Sequence, residues 1–196
     1  MTRPVDLFDR QFARQAIEAD YALNPFERAI LPYLRGEVLD LGCGMGNLAV
    51  AAAEAGCSLT ALDASPTGVA DLARRARERG LRIEANQVDL RNYVPSRSFD
   101  SVVAVGLLMF FACPHSRRLL GGIRDVVRPG GVVAINVLIE GTTFMDMFEP
   151  GDYCLFSPDE LSTAFAGWET VLSRHEDFPA PGGTLKRFHT FAAKRP

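Results

Sequence analysis

Glycines and a carboxylate early in the chain have the spacing of a nucleotide-binding site. Gly42, Gly44 and Gly46 alternate directly after the apolar run 38–41, and helix-forming residues follow from Asn47. Glycines let a backbone turn tightly and approach a ligand, because no Cβ stands in the way. A strand, a glycine turn and a helix in this order recur in nucleotide-binding folds. We therefore predict a nucleotide or nucleoside ligand at this turn.

The glycine spacing and a neighbouring acid discriminate between possible ligands. A dinucleotide fingerprint reads G-x-G-x-x-G, whereas this chain reads G-x-G-x-G with Asn47 at the closing position, which weakens a nicotinamide oxidoreductase. A P-loop is excluded because no G-K-[S/T] follows the strand. Asp40 beside the turn would repel a pyrophosphate and attract an ammonium group. These features favour S-adenosylmethionine, which carries an amino acid and a sulfonium, over NAD.

Two more aspartates end the next two predicted strands. Asp63 follows the run 58–62, where a carboxylate can accept hydrogen bonds from both hydroxyls of an adenosine ribose. The alternative, that Asp63 caps a helix, is less favoured, because Ser65 already caps the helix that follows. Asp89 closes the third strand and could accept from an adenine amino group, although an exposed turn aspartate fits almost as well.

The chain around these residues alternates between strand and helix signals. Two helices come first, and the second is capped by Asn24 with Pro25 at its first position. The arginines of the helix predicted over 66–79 are expected to form a solvated face. This alternation predicts an α/β fold with a doubly wound parallel sheet. The remaining expected elements are strands at 81–88, 99–105 and 132–137, a helix at 116–127, a helix from a capping box at 157–160, and strands at 168–173 and 185–193 that pair antiparallel.

Composition narrows the class of protein. The 196 residues, 47% of them hydrophobic, are enough for one domain, and the net charge of -3 offers no basic field for nucleic acid. No apolar run approaches the ~20 residues of a membrane helix, so we predict a soluble, cytoplasmic protein without membrane partners. The four cysteines show no metal-binding spacing, and we expect no metal site. Free buried thiols are the favoured state of Cys43, Cys57, Cys113 and Cys154.

Between residues 38 and 137 the motifs resemble the class I S-adenosylmethionine-dependent methyltransferases. The resemblance is carried by the glycine turn, by Asp63, by Asp89-Leu90, by Phe99-Asp100 and by Arg128-Pro129-Gly130-Gly131. It implies a Rossmann-like, doubly wound seven-stranded sheet, mostly parallel with an antiparallel C-terminal hairpin and helices on both faces. It also implies that one set of residues binds S-adenosyl-L-methionine, with successive members of the set contacting its methionine part, its ribose and its adenine. That expected cofactor-binding set is Asp40, Gly42, Cys43, Gly44, Gly46, Asp63, Ala64, Asp89, Leu90 and Val105.

Within that class the chain looks most like the tellurite-resistance (TehB-like) methyltransferases. This resemblance rests on the segments 108–111, 156–161, 167–169 and 186–188. It implies an acceptor site with an arginine of the final strand and a histidine before it. Arg187 matches the arginine and His175 stands at a suitable separation, while His115 is a further candidate base near the carboxyl edge of the sheet.

Residues from three parts of the chain are expected to complete the site. We predict a single methyltransferase domain over 1–196, with an N-terminal helical lid at 1–35, a cofactor-binding core at 36–140 and an acceptor side at 141–196. The segment Gly141–Leu155 is too apolar to lie wholly in water, and the run Leu107–Phe111 would line the sulfonium side.

The expected activity is methyl transfer to a small molecule by a monomer or homodimer. The acceptor is a chalcogen oxyanion such as tellurite or selenite, or a thiol. Arg187, Lys186 or Arg174 would bind such an anion without a base. Alternatives are a quinone-like or phenolic acceptor, and a non-catalytic S-adenosylmethionine-binding module.

Overall fold

The computed structural model describes residues 3–196 as one seven-stranded sheet with helices on both faces. Met1 and Thr2, the first residues of the predicted lid, lie outside the described residues. The strands follow the order β3-β2-β1-β4-β5-β7-β6, in which β1 to β5 run parallel and β7 is antiparallel to both of its neighbours. The predicted fold class is therefore confirmed. The strands are β1 (Glu37–Leu41), β2 (Ser58–Asp63), β3 (Ile83–Gln87), β4 (Phe99–Val105), β5 (Val127–Leu138), β6 (Glu169–Ala180) and β7 (Thr184–Lys194).

Two of the three helix caps predicted from the sequence are confirmed, and the helix predicted over 116–127 begins earlier, at Cys113. Asn24 and Glu27 form a complete capping box for the second helix, and the Ser65 hydroxyl accepts from the Gly68 N–H at the start of the fourth. The predicted capping box at 157–160 is wrong in its position, because Asp159 is the N-cap. Ser157 donates its N–H to the Glu160 carboxylate and accepts from the Glu160 N–H through its carbonyl. The helices are α1 (Arg3–Glu18), α2 (Pro25–Ile30), α3 (Asn47–Glu54), α4 (Pro66–Glu78), α5 (Cys113–Val126) and α6 (Glu160–Ala164).

The core lies on both faces of the central strands. Val38, Leu39 and Leu41 of β1 are at most 1% exposed, as continuous apolar runs in buried parallel strands require. Packing on these faces fixes the sheet, so that its carboxyl edge holds the loops after β1, β2, β3 and β4 in a constant arrangement. Within residues 3–196 we find no helix long and apolar enough to cross a membrane.

Candidate functional site

A cavity of about 460 Å³ opens at the carboxyl edge of the sheet. Its walls come from the loops after β1 to β4, from the carboxyl end of β5 and the first half of β7, and from helices α1 and α2. In doubly wound sheets this edge is the usual place for a ligand. Every residue of the predicted cofactor-binding set lines this one cavity: Asp40, Gly42, Cys43, Gly44, Gly46, Asp63, Ala64, Asp89, Leu90 and Val105.

The glycine turn leaves no room for side chains. Gly44 has φ +54°, and a Cβ there would stand 2.9 Å from the ring of Phe12. Gly46 has φ +67°, and its Cβ would stand 2.5 Å from Leu72 of α4. Both residues thus need the left-handed conformation and the missing side chain. The third glycine packs α3 against α4, while the second brings α1 onto the turn.

Arg75 holds the turn from below. Its guanidinium donates to the Met45 carbonyl and to Asp71, and it stacks on the Tyr21 ring. At 3% exposure it is buried, so the expected solvated arginine face is wrong at this position. Helical periodicity could not predict this role, because the Met45 carbonyl to which Arg75 donates lies in a turn 30 residues away in the sequence.

Asp40 is a buried carboxyl, and no cation pairs with it among the side chains that the structure describes. It is 4% exposed, and burial together with the nearby Glu27 and Asp63 carboxyls raises the pKa of Asp40 to about 8. Burying carboxyls so close together is costly unless a positive group joins them. Glu27 also lines the cavity and has a pKa raised by burial. The amino group of S-adenosylmethionine is a cation of the kind this acidic corner lacks.

Asp63 ties the glycine turn to the start of α4. Its two carboxylate oxygens accept from the N–H groups of Gly44 and Ser65, both at 2.8 Å. Burial raises the pKa of Asp63, and these backbone hydrogen bonds oppose that rise. A carboxylate oxygen can accept more than one hydrogen bond, so Asp63 retains capacity for a ribose hydroxyl.

Asp89 lies at the cavity rim in a bidentate ion pair with Arg91. The Arg91 side chain holds the pKa of Asp89 below its usual range. Asp89 therefore stays ionised near neutral pH, where it can accept a hydrogen bond from an adenine amino group.

The far side of the cavity is aromatic and apolar. Phe26 of α2 packs on Phe188 of β7 with ring centroids 4.6 Å apart, and Phe110 after β4 packs on Phe8 of α1 at 5.2 Å. The sheet order places β5 and β7 beyond β4, on the side opposite β2 and β3. The cavity thus has a polar side for one molecule and an aromatic side for another. The lining of the aromatic side includes Phe26, Met109, Phe110, Leu138, Met147, Lys186 and Phe188.

Helix α1 closes over the cavity and is latched to α4. The Asp9 carboxylate accepts from the Ser65 hydroxyl at 2.5 Å and from the N–H and hydroxyl of Thr67. A carboxylate at a helix N-terminus is favoured by the unpaired N–H groups and by the helix dipole. The placement of α1 is consistent with the predicted lid. That α1 opens and closes over the cavity is a proposal.

The predicted catalytic residues do not meet in this cavity. Lys186 and Phe188 line it, so Arg187 and its strand neighbours on alternate positions point to the other face, where Arg187 pairs with Asp177 at 3.1 Å. His175 lies on that other face too, stacked 4.2 Å from His189. His115, at the start of α5, lies beside a smaller surface pocket. Their catalytic roles stay predictions, and the residues that do line the aromatic side are different ones.

The expectation of four free thiols is wrong. Cys113 at the first position of α5 and Cys154 form a disulfide, while Cys43 and Cys57 are free and buried. The bridge pins the 141–155 segment, whose Phe148 is 3% exposed and packs on Phe110. The 141–155 segment therefore covers the aromatic side of the cavity, which explains its apolar composition.

Sequence reasoning missed three cavity residues that come from distant elements. The sequence places Glu27 at the third position of a capped helix, but no sequence pattern links this acid to the cavity. Asn136 sits in an otherwise apolar strand, where a lone polar residue could have drawn notice. Asp152 is in the 141–155 segment, where it accepts from the Ala112 N–H at 2.9 Å.

Comparison with known proteins agrees with this arrangement. Residues 38–131 match the family described as "Methyltransferase domain". The chain is 27% identical over 170 residues to Hemagglutinin 1 of Eikenella corrodens, covering 82% of this chain and 55% of that protein. It is 31% identical over 133 residues to a ubiquinone biosynthesis O-methyltransferase of Methylocella silvestris, covering 65% of this chain and 47% of that one. The chain thus spans about half the length of the curated relatives it matches.

The fold is also that of a solved structure. TehB from Haemophilus influenzae superposes with a TM-score of 0.76 at 18% identity, over 89% of this chain and 63% of that one. The matched domain, the fold and the cavity agree on S-adenosylmethionine as the cofactor of this family. The matching part of the chain, residues 38–131, is thus a methyltransferase domain, and the chain folds like the S-adenosylmethionine-dependent methyltransferases of known structure.

Proposed function

We propose that this chain transfers a methyl group from S-adenosylmethionine to a small organic acceptor with a quinone-like or phenolic ring. One observation carries the proposal: a single cavity joins the acidic glycine turn to a side walled by Phe26, Phe110 and Phe188. Aromatic walls bind flat apolar rings. The name of one relative, a ubiquinone biosynthesis O-methyltransferase, is in keeping with such an acceptor.

The residues of the chain divide the work of the reaction. When bound, S-adenosylmethionine supplies a methyl carbon on a sulfonium, which a lone pair attacks in line while the carbon–sulfur bond breaks. Asp40 and Glu27 would bind the amino group and Asp63 the ribose, so that the sulfonium faces the aromatic side. Phe110 and Met147 exclude water and hold the acceptor near the methyl group, which is the main requirement for such a displacement.

A chalcogen oxyanion, the other predicted acceptor, finds less support in the cavity. Of the cations predicted to bind it, Lys186 lines the aromatic side, whereas Arg187 is paired with Asp177 and Arg174 lies 3.8 Å from Glu176. One lysine among phenylalanines offsets little of the cost of stripping water from an oxyanion. Fold similarity to TehB supports tellurite resistance only as an option to be tested.

Turnover with a set of acceptors tests the proposal. The protein is incubated with S-adenosylmethionine and, in separate reactions, hydroquinone, a phenol, a thiol, selenite and tellurite, and S-adenosylhomocysteine is measured. We expect product with the ring hydroxyls. Turnover only with the oxyanions would replace the proposed acceptor, and binding of S-adenosylhomocysteine without any turnover would indicate a non-catalytic module. A rise in melting temperature with NAD but not with S-adenosylhomocysteine would contradict the cofactor.

We also propose a cytoplasmic location and a monomer or homodimer acting on a small molecule. The charged cofactor does not cross a bilayer unaided, so its user works in the compartment that holds it. Cell fractionation and size-exclusion chromatography with light scattering test these two points.

A further inference from the structure

Asn136 carries a buried polar atom that the fold does not satisfy. This residue of β5 is 0% exposed, and its Nδ2 donates to the Thr190 hydroxyl at 3.0 Å. Its Oδ1 finds no hydrogen-bond partner among residues 3–196. An unpaired buried acceptor costs about 1–3 kcal/mol. Such a cost in an otherwise apolar strand calls for a ligand that removes it.

The sheet register places this amide at the cavity wall. Asn136 lies opposite Val105 of β4 and Thr190 of β7, and it lines the cavity together with Val105. Next along the chain from Val105 is Gly106, where an added Cβ would meet nothing within 4 Å. Open space therefore adjoins the amide on its β4 side, between the cofactor end and the aromatic end.

The surroundings make Asn136 distinct on this side of the cavity. The other lining residues of β5 and β7 are Leu138, Lys186 and Phe188. Leu138 and Phe188 offer no hydrogen bond, and the Lys186 ammonium, 4.5 Å from the centroid of the Phe144 ring, can only donate. From these two strands Asn136 thus supplies the uncharged hydrogen-bond acceptor at the place where a second molecule would lie.

We propose that Asn136 Oδ1 accepts a hydrogen bond from the O–H of the methyl acceptor and so selects a ring hydroxyl over an acceptor that has no hydrogen to donate. The inference rests on the proposed function and names the acceptor group that this site takes. An oxyanion without hydrogen would oppose its lone pairs to those of Oδ1, whereas a hydroxyl satisfies the amide. Asn136 is a positioning and specificity residue, since an amide oxygen is too weakly basic to remove the proton.

The hydrogen bond also prepares the reacting oxygen. Donation to Oδ1 fixes the hydroxyl and leaves a lone pair free to face the methyl group. That lone pair forms the new oxygen–carbon bond, the carbon–sulfur bond breaks with its electron pair on sulfur, and the hydroxyl proton passes to water at the cavity mouth.

Two ring probes separate the hydrogen bond from the fit of the ring. Hydroquinone and 1,4-dimethoxybenzene share a ring, and only the first can donate. Their binding is measured by calorimetry to the protein saturated with S-adenosylhomocysteine, so the test does not depend on turnover. We expect the wild type to prefer hydroquinone by roughly tenfold or more, and Asn136→Leu, similar in volume, to lose that preference.

A control variant and a second measurement test whether the effect is specific to the Asn136 hydrogen bond. Leu138→Val, on the same strand face, should weaken both probes alike. The affinity for S-adenosylhomocysteine reports folding, and Asn136→Ala replaces Asn136→Leu if the latter does not bind it. With an acceptor that turns over, Asn136→Leu should raise KM for a ring hydroxyl and leave KM for a thiolate unchanged.

Equal binding of both probes to the wild type, or an unchanged preference in Asn136→Leu, overturns the inference. Failed turnover alone overturns the proposed function.

Discussion

At the scale of single residues, the pKa values of two acids in the cavity are shifted in opposite directions. Burial raises the pKa of Asp40 to about 8, whereas Arg91 lowers the pKa of Asp89. The acid meant for the cofactor ammonium is thus protonated in the free protein near pH 7, and the acid at the rim is ionised. Binding at the Asp40 corner must therefore be linked to proton release.

The pH dependence of cofactor binding checks the state of Asp40. Its pKa is higher in the folded chain than the model-compound value of 3.8, so the folded state holds an extra proton between pH 3.8 and about 8, and this group stabilises the fold less as pH rises through that window. The ammonium lowers the pKa again, so binding of S-adenosylhomocysteine at pH 7 should release about 0.9 of a proton. Affinity should rise with pH up to about 8.

Calorimetry in buffers of different ionisation enthalpy measures that proton. Asp40→Asn should bind more weakly and release no proton, whereas Glu84→Gln, an exposed acid of β3, should behave like the wild type. Equal proton release by the wild type and by Asp40→Asn would refute the assignment of Asp40.

At the scale of elements, the cover of the aromatic side depends on one covalent link. The Cys113–Cys154 bridge attaches the 141–155 segment to α5, and Asp152 accepts from the N–H of Ala112, the N-cap residue of α5. The Cys154 N–H also donates to the carbonyl of Met109, in the turn before α5. Disulfides are rare in the reducing cytoplasm. In that compartment the cover would respond to the thiol pool.

Reduction of the bridge is expected to destabilise the fold and loosen the cover. Cross-linking two residues 41 apart removes about 4 kcal/mol of chain entropy from the unfolded state, so Cys113→Ser with Cys154→Ser should lower the free energy of unfolding by roughly 2–4 kcal/mol. Hydrogen exchange in the 141–155 segment should quicken, with little change in affinity for S-adenosylhomocysteine. Denaturant unfolding measures the first effect. Dithiothreitol should shift the wild type and leave the double variant unmoved, and equal shifts would refute the role of the bridge.

At the scale of the whole molecule, local signals in the sequence were reliable and long-range ones were not. The glycine turn, Asp63 and the Asn24 cap were predictable because each signal lies within one strand–turn–helix unit. The Cys113–Cys154 bridge and buried Arg75 were not, since their partners are set by tertiary packing. Asn136 became meaningful only when the sheet placed β7 beside β5.

Helix α1 contacts both halves of the cavity. Phe12 of α1 lies on the glycine turn, and Phe8 lies on Phe110 at the aromatic side. Because α1 covers part of the cavity, we expect a bound cofactor to leave when α1 moves, so the Asp9 latch should set the rate of exchange. The hydrogen bond from Ser65 lowers the pKa of Asp9, so the latch is present at neutral pH and is lost only as pH falls through that lowered value, below 3.8.

Breaking the latch should speed cofactor release without destroying the site. Asp9→Ala removes the acceptor for Ser65 and Thr67, so α1 undocks more often, and the dissociation rate of S-adenosylhomocysteine should rise roughly five- to tenfold, as expected for about 1–1.5 kcal/mol of lost capping contacts. Stopped-flow displacement measures the rate. Glu18→Ala, an exposed acid at the other end of the same helix, should leave it unchanged. An unaltered rate in Asp9→Ala would mean that the cofactor exchanges by a route that α1 does not control.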